Sequence, residues 1–177
     1  MALKQLPQNR NFLNPTGYAF AINRLPGVVM NCQRVRMPRL HLEPVMTPNP
    51  FNKLNYSSSS ADYGPLVLQY RVDEDLVNYN EIFNWMVGLG FPEKFKQYRD
   101  LKENAEGNAG IRSDASLIIY TSEKNANIEV VFRDVFPTDI EMDEMASTES
   151  NPSYVTATVT FSIRDYVLRP VNEPVDS

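Results

Sequence analysis

Apolar residues in this chain recur at every second position in most of its patterned segments, and at helical spacing in only one. A period of two sends alternate side chains to opposite faces of a strand, so one face can be buried while the other stays wet. Tyr18, Phe20 and Ile22 share one face of such a run. Leu25-Pro26-Gly27 then reads as a turn, because proline presets its own φ and glycine tolerates positive φ. A second strand is expected from Val28 to Met37, forming with the first a hairpin that has a partly polar face. Pro38 and Pro44 bracket a shorter strand-like stretch. Leu66 to Val72 is a further strand. Ala115 to Thr121 and Ile128 to Phe136 follow, joined by a turn at Glu123 to Asn127 and closed by Pro137. Asp139 to Glu149 reads as an acidic connection, and Tyr154 to Val167 as one long last strand.

The helical stretch runs from about Leu76 to Leu89. Leu76, Tyr79, Phe83 and Met86 recur at three- and four-residue steps, with Trp85 counted in the same helix core and Ile82 and Val87 beside them. Asp73 or Asp75 offers a carboxylate to the free N–H groups at its start, and Gly88, Gly90 and Pro92 supply the stop. The sum is a mainly β, α+β domain of antiparallel strands with one clear helix.

At 177 residues the chain is read as one domain, residues 18–168, with an N-terminal arm at 1–17 and a loose tail at 169–177. Residues 46–64 are rich in proline and serine and read as a long loop. A loop that long in a compact domain carries a function or is disordered. Phe51, Leu54 and Tyr56 give it apolar surface to bury on another subunit.

Composition removes several function classes. One cysteine, Cys32, allows no intrachain disulfide, and one histidine, His41, cannot build the usual zinc sets. The acidic run Asp139 to Glu144 lacks the glycine and ligand spacing of a calcium loop. Asp73-Glu74-Asp75 is accounted for by the helix start. Gly88-Leu-Gly90 follows a helix, whereas a phosphate loop follows a strand. No catalytic, cofactor or metal residues are therefore assigned. The net charge of −5 argues against gripping phosphates, while it suits a surface along which DNA slides without sticking. No apolar run reaches the roughly 20 residues of a membrane helix.

Three stretches carry a family likeness: Met30 to Leu40, Pro65 to Met86, and Ile128 to Thr138 joined to Val155 to Tyr166. Their order and spacing resemble the tail-tube superfamily of contractile-tailed bacteriophages, which includes tube subunits and baseplate tube initiators. The resemblance implies an antiparallel β-sandwich or partly open barrel with one flanking helix. It implies hexameric rings that stack into a tube, a structural virion protein of the tail rather than an enzyme. Implied partners are copies of itself, the sheath, and baseplate and tape-measure proteins; DNA passes through the lumen unbound, and no membrane is involved. Asn31, Gln33, Arg34 and Arg36 would lie on a lumen hairpin, and Pro48, Pro50, Phe51, Leu54 and Tyr56 on an inter-ring loop. A baseplate initiator, a tail-completion protein or another adaptor ring is the alternative within this class. Outside it stand a ligand- or peptide-binding β domain with a pocket at Tyr79 to Trp85, and a hydrolase using His41.

Overall fold

The computed structural model describes residues 11–22, 24–48, 53–90, 98–99, 111–146 and 154–171. Its elements, in chain order, are β1 (Tyr18–Ile22), α1 (Pro26–Met30), β2 (Cys32–Arg36), β3 (Leu40–Leu42), β4 (Val45–Pro48), β5 (Lys53–Tyr56) and β6 (Ala61–Tyr63). Then come β7 (Leu66–Arg71), α2 (Val77–Gly90), β8 (Ser113–Tyr120), β9 (Ala126–Met142), β10 (Thr156–Ser162) and β11 (Asp165–Pro170).

The 17-residue strand β9 organises the domain. At about 3.3 Å per residue it would span roughly 56 Å, longer than the roughly 40 Å breadth of a domain this size, so it must bend. Its first half pairs with β8 and β11, its second half with β10. Two four-stranded antiparallel layers result: β1-β8-β9-β11, and β9-β10-β7-β2. Together they form open sheets that do not close into a barrel.

The bend is built from charged residues. Asp134 takes φ +54, a left-handed conformation that aspartate tolerates better than most side chains. Its carboxylate lies 2.6 Å from the Arg164 guanidinium, and its N–H donates to the Asp114 carboxylate at 3.1 Å. Arg164 stands where the chain passes from β10 to β11, so one ion pair ties together both places where the chain crosses between layers. The single last strand expected from Tyr154 to Val167 is therefore two strands, divided at Ile163-Arg164. Pro137 does not end β9 either. Proline is tolerated on edge strands and at bulges. Pro137 faces Phe161 while Asp139 faces Thr160, which leaves Thr138 as the extra residue of a bulge.

Inward side chains of both layers, among them Leu68, Tyr70, Phe132, Val159 and Phe161, form one core. Helix α2 packs into it through Ile82 and Trp85. The expected buried face was centred on Leu76, Tyr79, Phe83 and Met86, and the structure turns the helix by about a third of a revolution. Asn78, Ile82 and Trp85 recur at i, i+4 and i+7 and are buried, Tyr79 and Met86 flank them, and Leu76 and Phe83 are 42% and 48% exposed. Asn78 decides the rotation. Its amide donates to the Arg71 carbonyl at 2.8 Å and accepts the Asp73 N–H at 3.3 Å, holding the strand–helix junction.

The hairpin expected from residues 18 to 37 is not formed. Pro26 is the first residue of a short helix, a position where its missing N–H costs nothing. Helix α1 buries Val28 and carries the chain to the other layer, so β1 and β2 lie in different sheets. The described parts of the expected loop at 46–64 also hold strands. Strand β3 pairs with β6 and β4 with β5, which makes the described residues 40–48 and 53–63 a two-step β-ribbon. Its base is closed by the Gly64 N–H donating to the Arg39 carbonyl at 2.8 Å. A Cβ at position 64 would meet Arg39 Cγ at 2.7 Å, so only glycine fits there without movement.

Candidate assembly interface

Alternation along β7 and β10 leaves one hydrophilic sheet face. Leu66, Leu68 and Tyr70 point inward, as do Ala157, Val159 and Phe161. Val67, Gln69 and Arg71, with Thr156, Thr158 and Thr160, therefore stand on the outer face. Register extends each row across all four strands. Arg34, Gln69, Thr158 and Glu141 lie side by side in one row, and Arg36, Val67, Thr160 and Asp139 in the next. Arg34, Arg36, Asp139 and Glu141 are exposed. The Gln69 amide donates to the Thr156 hydroxyl at 3.0 Å, and that hydroxyl also bonds the Asp143 carboxylate. Arg71 lies over the Tyr154 ring, 4.1 Å from its centroid.

Both margins of this layer are open among the described residues. Among the described residues no strand pairs with the outer side of β2, or with residues 137–142 of β9 on the side away from β10. Beside β2 lies a cleft of about 430 Å³, bounded by Tyr18, Gln33, Arg34, Arg36, Gln69 and Thr158. The Tyr18 hydroxyl donates to the Gln33 carbonyl at 2.6 Å, linking β1 to β2 where both residues line the cleft. Long unpaired edges invite pairing with another chain unless something blocks them.

The residues singled out from sequence fall into three groups. Arg34 and Arg36 share the outer face of β2. Gln33 is the bulge residue between Cys32 and Arg34, and Asn31 belongs to the α1–β2 junction, donating to Asp73 at 2.8 Å. On the ribbon, Leu54 and Tyr56 are exposed along with Leu40, Leu42, Val45 and Met46. Pro48 ends β4, while Pro50 and Phe51 lie outside the described residues. Asp139 and Glu141, expected from sequence in a connection, are strand residues of the open margin. Their alternation with Ile140 and Met142 was the signal available for them.

The rival sites find little support. Trp85 is 1% exposed, its indole N–H donates to the Ile111 carbonyl at 3.1 Å, and Arg24 lies 4.7 Å from its ring centroid. A Tyr79–Trp85 pocket is thus filled by protein. His41 stands exposed on β3, opposite Asp62 in the ribbon. Burial pushes the Cys32 thiol up to about 11, which leaves it a poor nucleophile near neutral pH. Burial likewise raises the Tyr70 hydroxyl. Among the described residues no three His, Cys, Asp or Glu side chains cluster to hold a metal, and no helix is long and apolar enough to cross a membrane.

An antiparallel sheet with open edges and a wet outer face offers backbone groups that another strand can pair with. No family model and no curated protein matches the chain. Solved structures do. The chain is similar to one in the tube-terminating cap of the anti-feeding prophage, with a TM-score of 0.65 at 8% identity over 97% of this chain and 100% of that one. It is similar to a chain of the anti-feeding prophage baseplate, with a TM-score of 0.56 at 13% identity over 88% and 93%. A third match lies in the sheath–tube complex of the PVC extracellular contractile injection system, with a TM-score of 0.54 at 10% identity over 87% and 88%. The chain shares its fold with these tube, cap and baseplate chains, which is the kind of fold the family resemblance implied.

Proposed function

We propose that this chain is a structural ring protein of a contractile tail, assembling into hexameric rings that stack as its tube. The observation that carries this reading is the four-stranded layer with two open margins and a hydrophilic outer face. Repeated around an axis, that layer lines a channel with arginine, glutamine, threonine and acidic side chains. Such a wall hydrates a passing DNA or protein without an apolar surface to hold it. The ribbon, with Leu40, Val45, Met46, Leu54 and Tyr56 exposed, supplies apolar surface to the next ring. A subunit of this kind needs no catalytic group, and its working place is the tail of a virion or virion-like particle. Sheath and baseplate proteins are the partners such a tube requires.

A terminal or initiating ring is the second reading, favoured by the likeness to a tube cap and to a baseplate chain. Native mass spectrometry and sedimentation of the purified protein test the first claim. Closed rings that stack with rising concentration support a bulk tube subunit, and rings that stay single favour a terminal or initiating position. A monomer at every concentration, with or without other tail proteins, would overturn both.

A further inference from the structure

The open layer carries opposite charges on its two margins. Arg34 and Arg36 sit on β2, and Asp139 and Glu141 sit on β9 in the same two rows. Among the described residues none of the four makes an ion pair. Three strand spacings of about 4.8 Å separate the margins, some 14 Å, beyond a Debye length at physiological salt. Each margin is therefore two like charges, two residues apart on one face, that no described residue of the same chain neutralises.

Strand count fixes how copies can meet. The layer has four strands, each antiparallel to its neighbour, so β9 and β2 run in opposite directions. A copy related by rotation about an axis along the strands presents its β9 beside this chain's β2, and the two meet antiparallel. Symmetric pairings, β2 with β2 or β9 with β9, also satisfy backbone hydrogen bonds. They place arginine against arginine or carboxylate against carboxylate, and like charges directly opposite are destabilising. A head-to-tail contact can close rings when its rotation closes, whereas each symmetric contact joins only two copies.

We propose that the Arg34/Arg36 margin of β2 pairs with the Asp139/Glu141 margin of β9 in a second copy of this chain, and that these charges select ring closure over edge-to-edge dimers. The proposal rests on the ring-forming reading and adds to it the contact and its means of discrimination. The cleft beside β2 is where the incoming acidic side chains are received. In the unstaggered register Arg34 meets Glu141 and Arg36 meets Asp139. Any tilt of the strands about the axis shifts this match along the edge by whole residue pairs.

Charge reversal tests it. The four side chains are exposed, so the monomer Tm should not change. Arg34→Glu with Arg36→Glu leaves both margins acidic, and Asp139→Lys with Glu141→Lys leaves both basic. Each pair alone should lower the ring assembly constant by about tenfold or more at low salt. The quadruple variant, Arg34→Glu, Arg36→Glu, Asp139→Lys and Glu141→Lys, restores opposite margins and should restore rings. Raising the salt should narrow every difference. Paired reversals that assemble like the unaltered chain would overturn the proposal while leaving the ring reading intact. So would a quadruple variant that keeps its Tm and forms no rings. An unaltered chain that never forms rings would defeat the ring reading, and this contact with it.

Discussion

Truncating Trp85 to alanine should be among the most damaging single changes to the monomer. The side chain is buried between α2 and the core, with its ring centroid 6.2 Å from that of Phe161. Removing a buried tryptophan costs about 3–5 kcal/mol in lost transfer energy and cavity. The Ile111 carbonyl also loses its indole partner, which adds about 1 kcal/mol if water does not replace it. Against a typical stability of about 5–15 kcal/mol, the variant should be marginal at 25 °C. Urea denaturation followed by far-ultraviolet circular dichroism measures the loss as a shift in midpoint. The chain has one tryptophan, so fluorescence of the unaltered protein reports this site alone. Its emission should be blue-shifted and resistant to acrylamide. A loss below about 1 kcal/mol, outside the range for buried tryptophans, would show that α2 is not docked through Trp85. Ready quenching by acrylamide would show the same.

Ile82→Ala should cost about 2–5 kcal/mol, while Phe83→Ser one position on should cost less than about 1 kcal/mol, because only the first faces the core; parallel urea melts compare them. Asp134→Ala should cost about 1–2 kcal/mol, combining a left-handed backbone with a lost partner for Arg164, and Asp134→Gly should cost less because glycine accepts that φ. The Cys32 thiol, raised from its ordinary 9.0 to about 11, should react slowly with a disulfide reagent at pH 8 in the folded protein and quickly in urea. Its proton is held more tightly by the folded state, so its contribution to stability is complete below pH 9 and is lost as pH rises through about 11; urea melts at stepped pH read that decline. His41→Ala should leave both Tm and ring formation unchanged, since the side chain is exposed on the ribbon.

What could be read from sequence was set by local signals. Period-two runs placed most strands, because alternation survives whatever the partner strand is. The helix was legible in extent, but two apolar stripes compete on it, and Asn78 chooses between them through contacts with residues 71 and 73. Proline misled three times for separate reasons. Pro26 and Gly27 fit a turn as well as a first helical turn. Pro137 lies at an edge bulge where its missing N–H is tolerated. The prolines of the 46–64 stretch masked a ribbon whose strands are only three or four residues long. The division at Ile163-Arg164 has no local mark at all, since it follows from β9 crossing between layers. Within the candidate interface, Arg34 and Arg36 were singled out through the family resemblance, inside the strand expected from Val28 to Met37. Their acidic counterparts were not, because reading β9 as closed at Pro137 hid the alternation of Asp139 and Glu141 beyond it.

A cryo-electron microscopy map of the assembled protein decides the matter most directly. Density should show the β9-β10-β7-β2 layer of every copy running unbroken into the next, with Thr158 and Thr160 facing a central channel and Arg36 against an acidic neighbour. Particles in which β2 and residues 137–142 of β9 remain solvent-exposed, or in which that hydrophilic face looks outward, would contradict it.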